Sequence, residues 1–71
     1  MNKYAAVIYE PTRTGYSAYA PDLPGCLATG QTLEQTRQRM HDAVEMHLRS
    51  MREDGDQIPA PSLVADMLEV A

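Results

Sequence analysis

Seventy-one residues, with ten acidic side chains against six basic ones, a net charge of −4 and a single cysteine, make one small domain over 1–71. A chain this short buries only about 60% of the surface its unfolded form exposes, so its core is marginal unless a metal, disulfides or another chain adds to it. Cys26 alone cannot close an internal disulfide, two histidines without clustered thiols speak against a structural zinc site, and the acidic balance repels phosphate. Association with protein is therefore expected, and direct nucleic-acid binding is not. The opening MNKYAAVIY has too short an apolar run for a signal peptide, and no stretch approaches the roughly 18 apolar residues of a membrane span. The expected location is the cytoplasm, away from the membrane.

The run KYAAVIY over 3–9 is β-branched and aromatic and stops at Glu10-Pro11, which predicts a first strand. Polar residues 12–15, closing on Gly15, predict a hairpin turn, and 16–20 a second strand. Two prolines and a glycine within Pro21-Asp22-Leu23-Pro24-Gly25 exclude helix and central strand and leave a rigid, shaped loop. The short apolar run 26–29 adds a third strand closed by Gly30.

At Thr32 the pattern changes. Thr32-Leu33-Glu34-Gln35 has the form of a capping box, and Leu33, Thr36, Met40, Ala43, Val44, His47, Leu48 and Met51 then recur at helical spacing. Arginines in the final turns suit the helix dipole, and Asp54-Gly55 ends a helix of about 20 residues. Ile58-Pro59-Ala60-Pro61 is an extended linker into SLVADMLEVA. There Val64, Asp66, Leu68 and Val70 alternate with Ala65, Met67 and Glu69, which suits a strand; Leu63, Met67 and Val70 could also share one side of a short helix. The strand is the better fit to the few residues that follow the linker.

Strand parity carries a further expectation. Tyr4 and Tyr9 are five apart and Tyr16 and Tyr19 three apart, so each of the first two strands sends a tyrosine to either face. One helix covers one face of a sheet, which leaves aromatic and aliphatic surface on the other for an oligomer or sheet contact through Tyr4, Tyr9, Tyr16 and Tyr19. A tyrosine, being amphipathic, can also simply lie on an exposed face.

Groups for chemistry are few. The sequence has no glycine-rich phosphate loop, nucleophile elbow or zinc-protease helix, and His41 and His47 fall on different sides of the helix. No catalytic residue, metal site or cofactor is expected. Cys26, without a basic neighbour in sequence, is expected to act as a small buried hydrophobe. Asp42 and Glu45 share a helix face, and with Glu34 and Asp22 they are either a solvated acidic surface or a patch for a basic partner.

In combination, the opening strand, Tyr19-Ala20-Pro21-Asp22-Leu23-Pro24-Gly25-Cys26, Gly30-Gln31-Thr32-Leu33-Glu34 at the helix start, and the exit from Gly55 to Pro61 resemble the HicB antitoxin family over nearly the whole chain. The resemblance implies an α+β fold of order β-β-β-α-β: a three-stranded antiparallel meander, one long helix on one face, and a fourth strand beside the first, as in a partial ribonuclease-H-like sheet. It does not imply ribonuclease activity, because the carboxylates of such a metal nuclease are not visible at matching places. Proteins similar to this one neutralise HicA, a small basic toxin that uses a histidine to cut messenger RNA. Carried over, that role makes Asp22, Glu34, Asp42 and Glu45 the charges facing such a toxin, with Leu23 and Pro24 shaping the contact. The sequence stops near the fourth strand, where many family members continue into an operator-binding segment, so DNA autorepression is not expected. A solitary oligomeric domain, dimer or tetramer, without a toxin is the alternative. Arg37 stands where similar proteins often have an apolar residue and is expected at the edge of the helix stripe.

Overall fold

A computed structural model describes residues 5–60, 62 and 64–70. Three four-residue strands, β1 (Ile8–Pro11), β2 (Tyr16–Tyr19) and β3 (Leu27–Gly30), form an antiparallel meander in the order β1-β2-β3, and α1 (Leu33–Glu53) follows. The α+β arrangement of three strands and one long helix is as the sequence implies. The strand bounds differ in detail. β1 begins later than 3–9 and runs through Pro11, because its ladder is limited to residues with partners on β2, from Ile8 opposite Tyr19 to Pro11 opposite Tyr16. Lys3 and Tyr4 lie outside the described residues. The hairpin bond from Thr12 N to Gly15 O (2.8 Å) sets the alternation so that Pro11 sits at an outward position of an edge strand, where its missing N–H costs no ladder bond.

The Pro-Asp-Leu-Pro-Gly loop is ordered by its own backbone. Leu23 N donates to Ala20 O (3.0 Å), Cys26 N to Leu23 O (3.0 Å) and Ala20 N to Cys26 O (3.2 Å), two turns nested inside a bond that continues the β2–β3 ladder. That fold drives Leu23 inward to 2% exposure, where it meets Ala18, Ala20, Cys26 and Met40. Cys26 is a buried free thiol, and burial pushes its pKa up.

The helix is specified at both ends. Thr32 Oγ1 accepts from Gln35 N (3.0 Å), and the Gln35 side chain accepts from Gln31 N (2.8 Å), one residue ahead of the cap itself. At the other end Gly55 N reaches Arg52 O (3.2 Å) and Asp56 N reaches Met51 O (2.8 Å), a Schellman closure that Gly55 makes possible with φ +76. Between them Met40 and Thr36 are buried and Ala43, Val44, Leu48 and Met51 are half-buried, as the apolar stripe predicts. Thr36 satisfies its buried hydroxyl by donating to Thr32 O (2.7 Å). Gly30 lets this turn approach the sheet: a Cβ there would lie 2.6 Å from Thr36 Oγ1.

The expected fourth strand is not seen among the described residues. Residues 64–70 carry no strand or helix, and Val64, Met67, Leu68 and Val70 are 81 to 93% exposed. Alternation prepares a segment for a sheet, but a strand exists only where a ladder partner receives its backbone. Leu63 and Ala71 lie outside the described residues.

Candidate protein-binding surface

Register places the two faces of the sheet. Tyr9, Ala18 and Ala28 are mutual partners, and with Tyr16 and Gly30 they point toward the helix side. The opposite face carries a row in which Ile8, Tyr19 and Leu27 stand directly across from one another. Tyr19 and Leu27 are both exposed there, Leu27 by 64%. Tyr16 and Tyr19 thus part to opposite faces, while Tyr9 joins the helix side, its ring 5.8 Å from the Arg37 guanidinium. That contact explains how Arg37 fits at the stripe's edge: its charge stays in water and its planar group covers an aromatic face. Tyr4 lies outside the described residues.

The helix packs over β3 and β2, and its outer face carries an acidic crest over its first part, with the exposed Arg49 and Arg52 following on the same side. Glu34, Asp42 and Glu45 are exposed and fall within an arc of about 80° by the helical repeat, spread over roughly 16 Å of axis. Asp42 and Glu45 are brought together around His41, whose Nδ1 is 3.8 Å from Asp42 Oδ1 and 4.0 Å from Glu45 Oε2, and Gln38 Nε2 donates to Asp42 Oδ1 (3.3 Å). The sequence reading missed His41 as a member of this group, although its i,i+4 spacing to Glu45 is visible in the chain. The three ligand atoms lie within 4.8 Å of one another, but all three side chains stand in water, and such a group is first of all a polar patch.

Asp22 is not part of that crest. It lies in the β2–β3 loop, where its carboxylate accepts from Ser62 N (3.0 Å) and from Ser62 Oγ, and these two bonds hold its pKa below the ordinary value. Pro24 is exposed beside it, and Leu23 faces the core, so Leu23 acts on this surface through the loop shape it fixes.

The sequence around these features has relatives in several bacteria and in a phage. The family profile of the HicB-like antitoxin of bacterial toxin–antitoxin systems matches residues 4–70. This chain belongs to the HicB-like antitoxin family. A UPF0150 protein of Thermotoga maritima is 34% identical over 93% of this chain and 85% of its own length, and one of Synechocystis is 33% identical over 94% and 89%. A 14.9 kDa protein from the rep-hol intergenic region of Haemophilus phage HP1 is 32% identical over 75% of this chain, which spans only 40% of that protein. For a HicB-like antitoxin, the surface features that matter are those a partner protein can read: the acidic crest, the apolar row on the open sheet face, and the grooves flanking the helix. No helix among the described residues is long and apolar enough to cross a membrane.

Proposed function

We propose that this HicB-like chain is a cytoplasmic antitoxin, not an enzyme, that neutralises a small basic HicA-type toxin by covering the surface on which that toxin binds and cuts messenger RNA. The observation that carries this reading is the family match across residues 4–70. The charge distribution supports it: carboxylates of Glu34, Asp42 and Glu45 stand in water where a basic surface can reach them, and opposite charge steers such partners together. The loop of Asp22, Leu23 and Pro24 supplies a shaped, preorganised rim beside them, and the chain's net charge of −4 argues against its own contact with nucleic acid. The toxin's natural ligand is a polyphosphate, so exposed carboxylates imitate what they displace.

A second reading is a solitary homo-oligomer, dimer or tetramer, without a toxin, and the apolar row of Ile8, Tyr19 and Leu27 favours it. The two are separated by mixing the protein with the product of a neighbouring gene for a small basic protein and measuring mass by light scattering after gel filtration. The antitoxin reading expects a stable complex, at least tenfold weaker when Asp42 and Glu45 are both changed to Lys, with association slowing as salt rises. A candidate toxin that stays free and keeps cutting RNA at saturating antitoxin would sink it.

A further inference from the structure

The β3 edge of the sheet is only partly closed. The Ala20–Cys26 bond fixes the alternation on β3 so that Leu27 and Thr29 turn their backbone N–H and C=O groups away from β2. Arg39 Nη1 donates to Thr29 O (3.0 Å), so a side chain from the helix closes the edge at that carbonyl, one of the ordinary ways a sheet protects itself. The Leu27 N–H and C=O and the Thr29 N–H take no partner among the described residues.

Beside these groups an open groove of about 570 Å³ runs between β3 and the flank of α1, with Leu27, Arg39, Asp42, Ala43, Met46 and His47 on its walls. Among the described residues of the sheet and helix, Leu27 at 64% and Met46 at 68% are the two most exposed large apolar side chains, and both line it. Apolar side chains gathered beside unpaired backbone have the character of a contact surface. The backbone sets the shape of what fits. A helix laid in the groove would leave the Leu27 and Thr29 groups to water, whereas an extended segment bonds to them and sends alternate side chains toward Met46 and toward Leu27. Charge sets its sign. Asp42 stands on the groove wall with Glu45 next to it on the crest, while the guanidinium of Arg39 is already turned to Thr29 O.

We propose that a strand of a basic partner protein adds to the β3 edge, bonding to Leu27 and Thr29, with an apolar side chain seated against Ala43 and Met46 and a basic one facing Asp42. The occupant rests on the antitoxin reading; the edge, the groove and their exposed apolar residues do not. Strand addition gives the acidic crest a fixed register against the partner, because main-chain bonds hold the two proteins in line while the side-chain charges only draw them together. Arg39 limits the pairing to the Leu27 end.

The test adds the small basic neighbour product of the mixing experiment to the full chain and follows amide hydrogen exchange. The Leu27 and Thr29 amides are expected to exchange at least tenfold more slowly in the complex than in the free chain. Thr29→Pro removes an N–H that takes no part in the β2–β3 ladder, so it is expected to retain the helical circular dichroism and to weaken the complex at least tenfold. Met46→Glu, at an exposed position, is expected to weaken it by a similar factor. If Thr29→Pro loses its helix, Met46→Glu and the exchange rates of the unaltered chain decide. A full-strength complex in which the two amides exchange as before, or one unmoved by Met46→Glu, overturns the proposal and leaves the antitoxin reading standing. A basic protein that stays free in the mixing experiment removes both.

Discussion

Two stretches of this chain are similarly rich in aliphatic residues and end up in opposite environments. In the body, Ala18, Leu23 and Met40 are at most 2% exposed, because the β2–β3 loop and the first turns of α1 close on one another from opposite sides. In the tail, Val64, Met67, Leu68 and Val70 stand almost wholly in water. Hydropathy does not separate them. What differs is whether local geometry delivers a partner: the loop bonds of 20–26 and the cap at Thr32 close the backbone around their apolar residues, whereas the tail beyond Ser62, bonded to Asp22, is left exposed among the described residues.

The comparison can be broken most severely at Leu23. Leu23→Ala empties a fully enclosed site and is expected to cost about 2–5 kcal/mol, a large part of the stability of a domain that holds only about 0.1 kcal/mol per residue, and urea denaturation will measure it. Gly30→Ala is expected to cost about 1–3 kcal/mol, because the new Cβ collides with the backbone and hydroxyl of Thr36 and pushes the helix off the sheet. An unchanged midpoint for that variant would mean that the helix start sits farther from β3. Thr32→Ala removes the acceptor for Gln35 N and is expected to cost about 1 kcal/mol.

The tail gives the small effects. At concentrations where the chain is monomeric, Leu68→Ala is expected to move stability by no more than about 0.5 kcal/mol, and a larger loss there would show that the segment is packed on its own body. The last prediction concerns its tether. The carboxyl of Asp22 is held below its ordinary value of 3.8 by its bonds to Ser62, so whatever those bonds contribute is fully present above that value. It is lost as pH falls through the depressed one. The Ser62 amide resonance is expected to titrate with a midpoint below 3.8, and a midpoint at or above it would remove the tether from the account.

Much of the acidic crest was legible in advance, since Glu34, Asp42 and Glu45 share a face by helical repeat alone. The presence of His41 between two of them was not singled out, because side-chain placement on one turn depends on rotamers as well as spacing. Asp22 was grouped with the crest on charge, and the fold assigns its carboxylate to Ser62, a partner forty residues away that no local pattern announces.

By itself the sequence determined the features that short-range chemistry sets: the hairpin and its turn, the Pro-Asp-Leu-Pro-Gly loop, the capped helix with its apolar stripe and glycine stop, and the family to which the chain belongs. The tertiary structure alone decided where β1 begins, which sheet edge Arg39 closes, how Arg37 rests over Tyr9, and that residues 64–70 carry no ladder among the described residues. The division has one cause. Turns and caps are satisfied by bonds between residues a few positions apart, whereas strand ends, edges and sheet faces are fixed by partners distant in sequence, whose meeting is a property of the whole fold.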